Sequence, residues 1–445
     1  MTKIFFHKCA IGIILVVLLL PVALHAGEHT EFKKLPLAVR MVLSKINPML
    51  EKKEYQHAEK TLQTFLARGG PLPESGEQDP RGYHHCEIYF TLGNCYLLQE
   101  QYKSAIKAYD RAVTRNTSHA FAWLNMAKAC YELQQYSRAA HCFLKGYENA
   151  EEKNPEYLYF SAAANLMAKD YQRSIKVFEL LLAAHTDAVK PEWKENLVHA
   201  LLADDQARRA LPYIRELAHI YTGDKQIQWQ EILLYQYVQL NMSAEALDLA
   251  LTLTGQAPTV EKWWKALVNI RLNDGQYEEA LAALTMYAFL TPLTFEEKKL
   301  LADLSLQVGI PVKAVPVYET CLKEKADKQI LQHLAMTYLQ LGNPETALEV
   351  MNKFRLTPED KDLMMLKGEL LYALKQYDKA AEAYLLAARD KGPKSGHAWL
   401  MAGYAAWQIN DFPASRKAFT KASGYDREKK AAISALNQLK GNFMP

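Results

Sequence analysis

Apolar positions along this chain follow two periods at once. Within stretches of about a dozen residues they fall three and four apart, which keeps them on one face of an α-helix. The stretches also recur in pairs, and the second member of each pair opens around a small residue: Ala105, Ala139, Ala210, Ala246, Ala280, Ala314, Ala347 and Ala380. The first stretch closes about seven residues before most of these alanines, and a large apolar side chain stands four after them, as at Tyr109, Phe143, Ile214, Tyr318 and Tyr384. Two antiparallel helices come closest beside their connecting turn, where a side chain larger than a methyl group would push them apart. The pattern predicts an all-α fold, an α-solenoid superhelix of about eleven helical hairpins with a C-terminal capping helix.

Aligned on the small residue, the hairpins open near Val39, Cys86, Ala120, Pro155, Pro191, Ile227, Glu261, Phe295, Lys328, Lys361 and Gly396. In the fourth, Ser174 replaces the alanine. Pro311, Pro344 and Pro413 fall where a second helix should begin and where a missing N–H costs nothing. Pro212 and Pro316, two residues beyond their alanines, are expected in or near the first turn. The run from Gly69 to Gly82 stretches the gap between the first two hairpins and predicts a surface loop or hinge. The expected division is a first hairpin at 39–67, a loop at 68–85, a continuous array at 86–425, and a capping helix with its tail at 426–445. In that last helix Ala431, Ile433, Leu436 and Leu439 are expected to face inward, and Arg427, Lys429, Lys430 and Lys440 outward.

The N-terminus changes the setting. Lys3 and Lys8 precede an apolar run from Ile11 to Leu20, then Pro21 and the small-residue exit at Ala26. The run is too short to span a bilayer, which takes roughly twenty apolar residues, so residues 1–26 read as a cleaved signal peptide. A periplasmic protein is the expectation, and an uncleaved N-terminal segment anchored in the inner membrane is the alternative. The chain carries 53 Lys and Arg against 50 Asp and Glu, so bulk charge recruits no nucleic acid. Beyond the signal, Cys86, Cys95, Cys130, Cys142 and Cys321 are an odd set, read mainly as small buried hydrophobes. Cys130 and Cys142, on the two helices of one hairpin, are the pair to consider for a disulfide.

No Walker loop, HExxH, G-x-S-x-G or CxxC motif is present, so neither an enzyme nor a cofactor is expected. His84-His85-Cys86 is the one cluster that could suggest a metal, but adjacent helical residues point apart and no second ligand set lies nearby. In such arrays the first helices line a concave groove able to take an extended peptide or a partner helix. The register places Phe90, Tyr131 and Tyr159 there as an aromatic stripe, with Asn94 and Asn125 close enough to bond a peptide backbone, and Lys265 and Asn269 in a more charged middle. Aromatic side chains at these positions could equally pack on the next hairpin.

These features resemble the tetratricopeptide repeat family, whose period is roughly 33 to 36 residues, from about Val39 to Lys421. Tyr89, Leu92, Gly93, Tyr96, Ala105, Tyr109 and Ala112 reproduce its pattern almost completely, as do Trp123, Met126, Ala127, Tyr136, Ala139 and Phe143. Of the family's carboxylate clamp, Lys265 and Asn269 fit the first pair, but Leu300, Gln329 and His333 replace the rest, so the clamp is not carried over. A narrower resemblance lies in Trp193-Lys194-Glu195, the segment Gln228 to Tyr235, Lys262-Trp263-Trp264-Lys265, Leu290 to Leu293, and Ala398 to Tyr404. These are similar to exported tetratricopeptide proteins associated with TonB-type systems of Gram-negative bacteria. That resemblance implies a periplasmic interaction protein whose partners include TonB, ExbB and ExbD components. Rival expectations are an accessory factor for envelope assembly or polysaccharide export, and a carbohydrate-binding or degrading module.

Overall fold

The computed structural model describes residues 35–70, 79, 81–357, 359–389, 392 and 394–441. Among them every regular element is helical. The chain divides into two compact bodies, Met1–Met242 and Ser243–Pro445. The N-terminal body holds α1 (Leu37–Glu51), α2 (Tyr55–Ala67), α3 (Cys86–Leu98), α4 (Tyr102–Arg115), α5 (Ala120–Glu132), α6 (Tyr136–Asn149), α7 (Pro155–Met167), α8 (Tyr171–Ala184), α9 (Pro191–Ala203), α10 (Ala207–Ile220) and α11 (Gly223–Gln239). The C-terminal body holds α12 (Ser243–Gln256), α13 (Glu261–Asn273), α14 (Tyr277–Leu290), α15 (Phe295–Gln307), α16 (Pro311–Glu324), α17 (Lys328–Gln340), α18 (Pro344–Asn352), α19 (Lys361–Ala373), α20 (Tyr377–Ala387), α21 (Ser395–Gln408), α22 (Phe412–Ala422) and α23 (Lys429–Gly441). Within each body every helix packs mainly on the one before and the one after it, the arrangement of an α-solenoid. The expected signal peptide, residues 1–26, lies outside the described residues, as do 71–78 and 80 of the loop and 442–445 of the tail.

One joint recurs in every hairpin. Each first helix ends in a residue with positive φ: Lys53, Glu100, Gln134, Lys169, Asp205 and Asn241 in the N-terminal body, then Gly275, Gly309, Gly342, Lys375 and Asn410 in the other. The next N–H turns back to a carbonyl five residues earlier, as from Gln101 to Tyr96 at 2.9 Å and from Ile310 to Ser305 at 2.8 Å. This is a Schellman closure, which satisfies carbonyls the helix end would otherwise orphan and reverses the chain into the second helix.

Within each body the alanines that set the register, Ala105, Ala139 and Ala210 in one and Ala280, Ala314, Ala347 and Ala380 in the other, sit fully buried at the crossing this joint creates. Where serine replaces alanine the crossing keeps its width and gains a bond. Ser174 Oγ donates to the Ala162 carbonyl and Ser415 Oγ to that of Gly403, each at 2.9 Å and buried. Each hydroxyl is thus satisfied, where an unbonded one would cost about 1–3 kcal/mol. The large residue four positions later presses on the first helix. A Cβ on Gly93 or Gly368 would lie 2.5 Å from the ring of Tyr109 or Tyr384. Burial of each such ring contributes about 1.5–3 kcal/mol.

Two expectations are corrected. In α23 the buried face is Ala432, Ala435 and Leu439 with Leu436 partly covered, whereas Ala431 and Ile433 are exposed. Residues 431 and 433 stand about 100° to either side of Ala432 and so flank the buried stripe rather than line it. Pro212 and Pro316 lie inside α10 and α16, past the first turn, so each removes one main-chain hydrogen bond. Pro311, Pro344 and Pro413 do occupy the starts of their helices.

Candidate partner-binding surface

The polar residues expected to grasp a peptide instead hold hairpins together. Asn94 on α3 is fully buried, and its Oδ1 accepts from Tyr109 Oη of α4 at 2.7 Å and from Asn125 Nδ2 of α5 at 2.8 Å. The bonds tie the second hairpin internally and then to the third. A buried amide left without such bonds would cost about 1–3 kcal/mol, so these side chains are committed to the fold. The C-terminal body repeats the arrangement at the same repeat positions. Asp303 Oδ1 on α15 accepts from Tyr318 Oη of α16 at 2.6 Å and from His333 Nδ1 of α17 at 3.1 Å. Burial alone would raise the Asp303 carboxyl, but the bonds from His333 and Tyr318, with the charges of His333 and Lys299, outweigh it and hold it below its ordinary value.

Of the expected aromatic stripe, Phe90 and Tyr159 are buried. The Phe90 ring lies 4.6 Å from the His119 ring and 6.3 Å from that of Tyr109. Tyr159 stacks on Trp193 at 4.8 Å and 12°, and its hydroxyl accepts from Asn196 at 3.0 Å. Both rings are therefore packing between successive hairpins rather than open anchors. Tyr131 alone of the three remains partly exposed, edge-on to Tyr136 at 5.3 Å. In the C-terminal body Lys265 pairs with Glu297 at 2.9 Å and lies over the Tyr287 ring, while Asn269 donates to the Lys265 carbonyl at 2.9 Å. Both are partly exposed. Five of the seven expected site residues thus belong to the N-terminal body and two to the other.

Among the positions the first helices leave partly open, one recurs in most hairpins, the repeat position that Asn94 holds in the second. Lys128, Ala163, His199 and Tyr235 hold it in the N-terminal body, and Asn269, Asp303, Met336, Glu369 and Tyr404 in the C-terminal body, Met336 being the most exposed of them. Asn94 holds the same position but is sealed by the Asn125 bond. Alignment of the repeats by position, rather than a search for aromatic residues, carries the signal for both the row and the ties.

The temptation of His84-His85-Cys86 dissolves in local bonding. His84 Nδ1 bonds Tyr89 Oη at 2.7 Å, and His85 Nδ1 accepts from the Glu87 N–H at 3.3 Å. Among the described residues no three His, Cys, Asp or Glu side chains are grouped to hold a metal ion. The five described cysteines are buried free thiols. The Cys130 and Cys142 thiols share a hydrogen bond, which lowers the former and, with burial, raises the latter. Burial pushes Cys86 up to about 11 and Cys95 up to about 12, leaving both protonated at neutral pH.

Tetratricopeptide-repeat models match residues 124–189, 333–396 and 366–426, and a model described as anaphase-promoting complex, cyclosome, subunit 3 matches 81–146. The chain carries tetratricopeptide repeats. A tetratricopeptide repeat-containing protein of Methanocaldococcus jannaschii is 24% identical over 324 residues, a match covering 67% of this chain and 56% of that protein. This chain therefore spans little more than half of that relative. Among solved structures, a tetratricopeptide repeat protein from Parabacteroides merdae is 13% identical over 67% of this chain and 98% of its own, with a TM-score of 0.31. The APC/C hetero-tetramer Cut9–Hcn1 is 12% identical over 93% and 92%, with a TM-score of 0.30. Tetratricopeptide arrays are scaffolds for protein partners, and their stacked helices offer surface rather than a reaction centre. No helix among the described residues is long and apolar enough to cross a membrane.

Proposed function

We propose that this chain is an exported, non-enzymatic scaffold that binds a protein segment along the exposed face of its first helices. The observation that carries the reading is the half-open repeat position of Asn94, which presents a cation, a methyl group, an imidazole and a phenol in the N-terminal body, and an amide, two carboxylates, a thioether and a phenol in the C-terminal body. A row of unlike, mostly polar groups at repeat spacing suits recognition of a particular partner sequence. The charged N-terminal start, short apolar run and Ala26 support export to the periplasm. The Trp193, Trp263-Trp264 and Trp399 segments support service to a TonB, ExbB and ExbD assembly or its receptors.

The test is affinity purification of the tagged protein from its own envelope, in the wild type and in a Lys128→Glu, Tyr131→Ala variant. Recovery of TonB-system subunits by the wild type, lost in a variant of unchanged helix content, is expected. Recovery of export or envelope-assembly machinery instead would overturn the TonB assignment. Equal recovery by both proteins would remove this face from the binding surface. N-terminal sequencing of the same material should start at Gly27; an intact Met1 in membranes would mean an anchor.

A further inference from the structure

Two successive first helices of the N-terminal body are capped by histidine. His85 Nδ1 accepts from the Glu87 N–H at the start of α3 at 3.3 Å, and His119 Nδ1 accepts from the Ala122 N–H at the start of α5 at 3.2 Å. Other first helices use caps that stay acceptors near neutral pH, such as Asn154 for α7, Thr294 for α15 and Asp327 for α17. An imidazole can accept at Nδ1 only while neutral, with its proton on Nε2; a second proton turns Nδ1 into a donor aimed at a helix N–H. It also sets a positive charge against the positive end of the helix dipole.

We propose that His85 and His119 are acid-responsive caps whose protonation loosens the first turns of α3 and α5 in mildly acidic solution. The groups facing them set the response of each. His119 is buried, and its Nε2 lies 3.2 Å from Glu87 Oε1, so a protonated ring already has a counter-ion on the neighbouring helix while its Nδ1 can no longer accept the Ala122 N–H. His85 faces Glu87, Asp79 of the preceding loop, the Cys86 thiol 3.6 Å from its Nδ1, and His119, whose charge opposes its own. Burial, more than the carboxylates can offset, lowers the His85 pKa, so the folded state rejects a proton that the unfolded chain accepts. The sign follows. His85 supports the fold above the ordinary imidazole value of 6.5, and that support is lost as the pH falls towards its lower folded value. The ring resting on His119 is Phe90, whose release would uncover an aromatic side chain that the neutral structure keeps fully buried.

Hydrogen exchange read by mass spectrometry on the full chain, corrected for intrinsic rates, tests this at about pH 7.5 and about pH 5.5. Protection in peptides covering 85–92 and 119–126 should fall about tenfold in acid, the equivalent of one pKa unit, while the Asn154-capped start of α7 holds. In the His85→Asn, His119→Asn variant, whose caps do not titrate, the acid loss should vanish. Unchanged protection of both peptides in the wild type, or an equal acid loss in the variant, would overturn the proposal. Should the variant not fold, imidazole 15N shifts of the wild type at neutral pH decide: both rings must carry the proton on Nε2, and a proton on Nδ1 of either ends the argument.

Discussion

Asn94–Tyr109–Asn125 and Asp303–Tyr318–His333 occupy the same three repeat positions in the two bodies and join one hairpin to the next in the same way. They differ in chemistry and in access to water. The amide tie is sealed, with Asn94 and Asn125 at 0% and 4% exposure, whereas the side chains of Asp303 and His333 stand 36% and 31% exposed. A carboxylate or an imidazolium buried like Asn94 would be costly to desolvate, so the ionisable version occurs where solvent reaches it. Repeat architecture thus specifies where hairpins are tied, and the local depth of burial determines which groups can do the tying.

The comparison breaks first where the tyrosines are removed. Tyr109→Ala and Tyr318→Ala should each destabilise the host body by about 3–5 kcal/mol, because a fully buried ring leaves a cavity as well as lost bonds. Exchange protection should collapse around the altered hairpin in each; a uniform loss along the chain would mean that the hairpins do not unfold as separate neighbours.

Removal of the hydroxyl alone separates the two ties. Tyr318→Phe deprives a carboxylate of a donor and should cost about 1.5–3 kcal/mol, while Tyr109→Phe takes a bond from a neutral amide and should cost about 1 kcal/mol. Because the Asp303 carboxyl is held below its ordinary value, its contribution is present above 3.8 and is lost as the pH falls through its lower folded value. Denaturant midpoints measured from neutral pH into acid should therefore converge for the wild type and Tyr318→Phe, and stay parallel for the wild type and Tyr109→Phe.

Away from the ties the bodies should behave alike. Ala139→Leu and Ala280→Leu both force methylenes into a closed helix crossing and should each cost about 1–3 kcal/mol by chemical denaturation. An unaltered midpoint for either would show that its crossing has room to spare. The smallest effect sharpens another contrast, since no glycine holds the left-handed joint in the N-terminal body while Gly275, Gly309 and Gly342 hold it in the other. Lys169→Gly should stabilise by up to about 1 kcal/mol through relief of the positive φ, and Gly342→Ala should destabilise by about 1 kcal/mol. Matching signs for the two substitutions would contradict a strain account.

The repeat register was legible because its causes are local. A methyl-sized residue at the crossing and a large one a turn later act within one hairpin, and the expected unit starts Cys86, Ala120, Pro155, Pro191, Glu261, Phe295, Lys328 and Lys361 are the first residues of helices. The binding surface was less legible. Phe90 and Tyr159 carry the right residue types at groove positions, yet His119 and Trp193, each from the following hairpin, cover them. For α23, reliance on apolar character rather than strict helical spacing placed Ala431 and Ile433 on the wrong face.

By itself the sequence determined the helices, their pairing and the closed crossings, since these follow from steric demands between residues less than one repeat apart. Only the tertiary structure decided that Asn94 and Asn125 bond each other rather than a ligand, that Tyr131 and the row aligned with Asn94 keep contact with water, and that His85 and His119 cap neighbouring helices. Those outcomes depend on how one hairpin seats on the next, where a shift of about one ångström separates a buried hydrogen bond from an open binding group.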